Sequence, residues 1–133
     1  MKIITSLFLT ILFSCNTCEA SVSPFIIKSF RKIVKLIESD NSRELAKLID
    51  YPLNRENPLP NIMDSTDFIS HYQVIFDNSF KNLLKQYNDS EIIEHNGLYG
   101  LVGGNFSGEI WIGDNGKIST INYSSKGSCL KLP

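Results

Sequence analysis

Asp67 and His71 stand four residues apart in a stretch of helical periodicity, a spacing at which a carboxylate can orient an imidazole as a general base requires. Polar neighbours on a solvated helix face share that spacing, and the sequence ties no serine or cysteine nucleophile to His71. The surface reading therefore comes first and the catalytic one second. Cys129 with His71 or His95 would make a thiolate–imidazole pair, although a cysteine in a terminal segment is more often structural. No Cys or His pair has ligand spacing, so no metal is expected. Gly97 to Gly104 resembles a phosphate loop only superficially, because such a loop opens a helix and here a strand pattern follows. No catalytic residue and no cofactor is assigned on these grounds.

Charge narrows the classes further. The 133 residues carry 13 basic and 14 acidic side chains, and removing residues 1–20 takes away Lys2 and Glu19, which leaves the net charge at −1. A nucleic-acid partner is not expected from such a balance. Lys28, Arg31, Lys32 and Lys35 form a basic stripe that would suit an anionic surface or acidic partner, with a solvated helix face as the simpler account.

The amino terminus reads as an export signal. Lys2 precedes an apolar run from Ile3 to Phe13 that is too short to span a bilayer, which needs roughly 20 apolar residues. Cys18-Glu19-Ala20 offers small side chains where a signal peptidase reads, placing cleavage before Ser21 and the domain at 21–133, periplasmic or secreted. Leu12-Phe13-Ser14-Cys15 resembles a lipobox, and cleavage there would leave a lipoprotein anchored through Cys15, the only route to a membrane. Cysteine parity differs between the two. The first leaves Cys129 alone, and the second permits a Cys18 to Cys129 bridge.

All eight glycines lie between Gly97 and Gly127, and four of five prolines between Pro24 and Pro60, so helices are expected first and sheet second. Ser23-Pro24 should open a helix whose apolar face is Ile26, Phe30, Ile33 and Ile37. Asn41 with Glu44 resembles a capping box for a second helix that packs Leu45, Leu48 and Ile49 inward and ends at Tyr51-Pro52. Leu53 to Met63 should be extended and irregular, with room for one edge strand. Asp64 and Asp77 cap two further helical stretches, with Phe68, Ile69, Tyr72, Ile75 and Phe76 on the first and Phe80, Leu83, Leu84 and Tyr87 on the second. Period-two patterns at Ile92 to His95, Leu98 to Val102, Glu109 to Ile112 and Lys117 to Tyr123 predict strands. The turn Asp114-Asn115-Gly116 should set Ile110 and Ile112 against Ile118 and Ile121.

This order, with Tyr51-Pro52-Leu53, Asp67-Phe68-Ile69 through Phe76-Asp77, Gly108-Glu109-Ile110-Trp111-Ile112 and Gly116-Lys117-Ile118, resembles small secreted NTF2-like proteins over most of residues 25–123. The resemblance implies an α+β fold in which helices pack on a curved antiparallel sheet that leaves a cone-shaped cavity. Tyr51, His71, Tyr72, Asp77, Trp111 and Tyr123 would line such a cavity. Members include enzymes, carriers and immunity proteins, so function must be argued from the site. The expectation is a non-enzymatic envelope protein that occludes a protein target, a toxin or cell-wall hydrolase, through Tyr99, Phe106 and Trp111. A small-ligand carrier is the alternative, and an enzyme with His71 as base the third. A closed apolar pocket would favour the carrier, convergent ionisable groups the enzyme, and a filled core with protruding aromatics the inhibitor.

Overall fold

The computed structural model describes residues 21–55, 59–103 and 106–123. The export signal, Cys15, Cys18 and Cys129 lie outside the described residues. The side chains of residues 103, 106 and 107, and with them that of the candidate Phe106, lie outside as well.

Helix α1 (Pro24–Glu38) begins where the sequence places it, with Ser23 Oγ accepting from the Ile26 amide and Pro24 in the first turn, where its missing N–H costs nothing. Its buried stripe is Ile26, Phe30, Ile33, Val34 and Ile37. Helix α2 (Ser42–Ala46) is capped by Asn41, whose Oδ1 accepts from Glu44 N at 3.3 Å. It is shorter than expected, because the chain turns after Ala46 and Ile49 enters strand β1 (Ile49–Asn54) instead of a helix face. Short apolar runs do not distinguish the two states by period alone. Asp64 caps α3 (Ser65–Ile75) by accepting from the amides of Thr66 and Asp67, and Asp77 caps α4 (Asn78–Leu84) by accepting from Phe80 N. Asp64→Ala removes both bonds at the start of α3 and should cost about 1 kcal/mol in a denaturant melt. Ile69, expected on the apolar face of α3, is 39% exposed.

After a single 3-10 turn at Asp89–Glu91 come β2 (Ile92–His95), β3 (Leu98–Gly103), β4 (Phe106–Ile112) and β5 (Ile118–Ile121). Asn96 and Gly97 both have positive φ and close a two-residue hairpin between β2 and β3. The second hairpin has the expected register, Ile110 opposite Ile121 and Ile112 opposite Ile118. The sheet order is β1-β5-β4-β3-β2.

The sheet is mixed, and this corrects the antiparallel expectation. β2 to β5 form an antiparallel meander, but β1 pairs in parallel with β5. The β1 ladder is irregular: Ile49 stands opposite Ile118, yet Asn54 stands opposite Thr120, and Pro52 between them has no N–H to donate. The proline-containing passage then returns along β1 through the antiparallel bridge Leu53–Ile62. The sheet is open rather than closed on itself.

The helices and the inner face of the sheet share one core. Phe30, Phe68, Phe76 and Phe80 are fully buried there with Leu45, Leu101, Ile112 and Ile118. An aromatic chain runs through it: Phe68 and Phe76 meet edge to face, Phe76 stacks on Phe80 at 5.4 Å, and Phe80 stacks on Tyr123 at 4.0 Å. Large rings thus lie between the helices and the sheet.

Surface ion pairs tie distant segments, among them Arg31 with Asp89 and Lys81 with Asp40. The hydrogen bond from Arg31 holds the Asp89 carboxyl below its usual range, and that from Lys81 does the same for Asp40. A carboxyl whose folded pKa is depressed contributes stability above its unfolded value, near about 4, and loses it as pH falls through the folded one. Thermal melts from pH 5 down to pH 2 should therefore show a shallower acid loss for Asp40→Asn/Asp89→Asn than for wild type. Equal slopes would remove these pairs from the account of acid stability.

Candidate functional site

Strand alternation decides where the single tryptophan points. Ile110 and Ile112 turn into the core, so Trp111 between them projects from the opposite face of the sheet, the one turned away from the helices. It is half-buried there. A cavity between helices and sheet, as the resemblance implies, would have the ring on the helix side, whereas the alternation puts it on the other face. Gly100 stands directly opposite on β3, and a Cβ at Gly100 would come within 2.6 Å of the indole. A Cβ at Gly108 would come within 2.8 Å. The indole thus lies across two glycines, where the bare backbone gives it a seat.

The seat belongs to a row that crosses all five strands in register: Ile93 on β2, Gly100 on β3, Trp111 on β4, Thr120 on β5 and Asn54 on β1. Ile93 is 42% exposed, and the His95 ring lies 6.4 Å from the indole, tilted against it. Thr120 donates its hydroxyl to the Asn54 carbonyl, and Ser119 donates to the Trp111 carbonyl. The row is apolar and aromatic at one end and hydrogen-bonding at the other.

Tyr99 is not part of this face. It pairs with Ile112 in register, packs part-buried against the core, and borders an open cleft of about 550 Å³ with Val22 and Glu94.

The pocket candidates separate. Tyr72 is buried and donates its hydroxyl to the Ile37 carbonyl at 3.2 Å, and Asp77 is spent on the α4 cap. Tyr51 donates to the Ala46 carbonyl at 3.1 Å, and burial, with Asp64 and Asp67 nearby, pushes its phenol up to about 12. His71 and Tyr123 share a cleft of about 260 Å³ that also holds Asp67, Asn61 and Arg55, and the Asp77 carboxylate is near enough to Tyr123 to add to the effect of burial in raising its phenol. Arg55 was not legible in the sequence as a site residue. Its guanidinium donates to the carbonyls of Ile121 and Tyr123, sixty-six and sixty-eight residues away, and no local pattern announces such partners.

Within that cleft the His71 ring is engaged through one nitrogen. Its Nδ1 lies 2.9 Å from Asp67 Oδ1, 2.9 Å from the Asp67 carbonyl and 3.1 Å from Ser70 Oγ. A relay needs acid and nucleophile on opposite ring nitrogens, and here Asp67 and Ser70 crowd the same one. Asp67 also accepts from the Met63 amide, which ties the helix start to the preceding loop. These contacts build a helix end. Among the described residues no group of three or more His, Cys, Asp or Glu side chains could hold a metal ion.

Comparison with protein-family models, with curated proteins and with solved structures gave no match to this chain.

Proposed function

We propose that this chain is an exported, non-enzymatic binding protein of the cell envelope, an NTF2-like domain that occludes a protein target such as a toxin or cell-wall hydrolase in the manner of an immunity protein or inhibitor. The observation that carries the reading is the Trp111 indole laid over Gly100 and Gly108 on the sheet face away from the helices. A partly exposed tryptophan on a sheet face is the kind of side chain that anchors protein interfaces. The aromatic core supports the same reading, and among the described residues Asp67 and Ser70 both approach the same ring nitrogen of His71. Export through residues 1–20 predicts an intact mass beginning at Ser21, and a mass from Cys15 onward with acyl chains would overturn it.

The test compares three forms of the exported protein as bait for envelope and secreted fractions: wild type, Trp111→Ala and His71→Ala. A protein held by wild type and His71→Ala but released by Trp111→Ala supports occlusion through the sheet face. Retention by Trp111→Ala, or recovery of a small molecule in place of a protein, overturns it. Turnover of an envelope substrate that disappears in an equally stable His71→Ala would overturn it too, since loss of a general base commonly costs about 100-fold or more in rate.

A further inference from the structure

The basic stripe of α1 does not end on α1. Lys28 and Lys32, one turn apart, border a cleft of about 350 Å³ whose other side is the β4–β5 turn, where Lys117 supplies a third ammonium. Phe25 and Leu48 line the cleft as well, and Phe25 is 54% exposed, behind only Val74 and Met63 among the large apolar side chains of the described residues. Gly116 keeps the base of the cleft open. A Cβ at that position would fall 2.5 Å from Ser29 Oγ and 3.0 Å from the Phe25 ring.

Charge in the cleft is one-sided. Arg31, the other cation of this part of the stripe, is engaged by Asp89, whereas Lys28 and Lys32 have no ion-pair partner among the described residues. Lys117 lies 3.6 Å from Asp50, which also accepts from Asn115 Nδ2. Of the three ammonium groups, only that of Lys117 has a carboxylate partner among the described residues. An apolar lining rimmed by surplus positive charge is complementary to a molecule with an apolar body and an anionic head. The volume lies at the small end of ligand sites, suited to a short chain or single ring rather than a polymer.

We propose that this cleft binds a small amphiphilic carboxylate, with its apolar part against Phe25 and Leu48 and its carboxylate between Lys28, Lys32 and Lys117. The site shares no residue with the Trp111 row and stands or falls separately from target occlusion.

Octanoate is the probe, and octan-1-ol its uncharged counterpart, with binding read from amide shifts in nitrogen-15 NMR spectra of the full exported chain. Octanoate should shift the amides of Ser29, Gly116 and Lys117 saturably, and octanol should do so several-fold more weakly. Lys28→Glu/Lys32→Glu should weaken octanoate by roughly tenfold, since each reversed exposed charge changes the interaction modestly. Both positions are exposed on the helix, so the spectrum should otherwise be preserved. The milder Lys28→Gln/Lys32→Gln keeps the test available should the reversal disturb the fold. Equal binding of octanol, shifts confined to another part of the molecule, or unchanged affinity in both lysine variants would overturn the proposal.

Discussion

Truncating Phe76 to alanine is expected to lower the stability of the domain by about 3–5 kcal/mol, the range for deleting a fully buried aromatic ring. Phe76 has no exposed surface, and its ring touches Phe68, Tyr72 and Phe80, so its loss opens a cavity in the middle of the aromatic chain. The surrounding rings are held by α3 and α4 and cannot collapse into the gap without moving a helix. Domains of this size are stable by only about 5–15 kcal/mol, so the variant should melt many degrees below wild type or be partly unfolded at 37 °C. Phe76→Leu keeps most of the volume and should recover more than half of the loss. Urea melts of the three forms check both statements, and a Phe76→Ala midpoint close to wild type would mean that the ring is not central to the core.

Filling the seat beneath the tryptophan should have the second largest effect. Gly100→Val places two methyl groups where the indole lies, and Trp111 must leave the sheet face, at a cost of about 1–3 kcal/mol for overpacking. The diagnostic is coupling. In a Trp111→Ala background the space is free, so Gly100→Val should be close to neutral there, and β-branched valine even suits a strand. A double-mutant cycle read by denaturant melts measures this difference. Additive losses would show that the two positions do not meet. The same valine should weaken capture of the target as strongly as Trp111→Ala does, although it leaves the indole in the molecule.

The places where sequence and structure agree are those at which one residue type has one physical job. Ser23, Asp64 and Asp77 each supply an oxygen to unpaired amides at a helix start, and Gly116 supplies positive φ to the turn between β4 and β5. Such signals are local. The parallel pairing of β1 is not, because nothing within Ile49–Asn54 says which distant strand will lie beside it, and Leu48-Ile49 fits a helix face as readily as a strand. The outward direction of Trp111 was legible in principle: two isoleucines flank it, and glycines at 100 and 108 stand where a bulky ring needs an empty neighbour. The cavity implied by the resemblance drew the ring inward instead. For the cleft at α1, the sequence displayed Lys28 and Lys32 together but gave no means of bringing Lys117 to them across the fold.

The pairing of β1 with β5 also fixes the order in which the molecule can be completed. Ile49 and its partner Ile118 are separated by most of the domain, so the first strand to leave the ribosome gains its neighbour only when the last has been made. Until then its backbone amides and carbonyls are unpaired along one edge, and closing so long a loop is slow compared with forming the β2–β3 hairpin or α1. The five-stranded sheet therefore cannot be complete until residue 118 has been made. A stop codon anywhere before residue 118 would leave an open-edged fragment suited to aggregation rather than a smaller working protein.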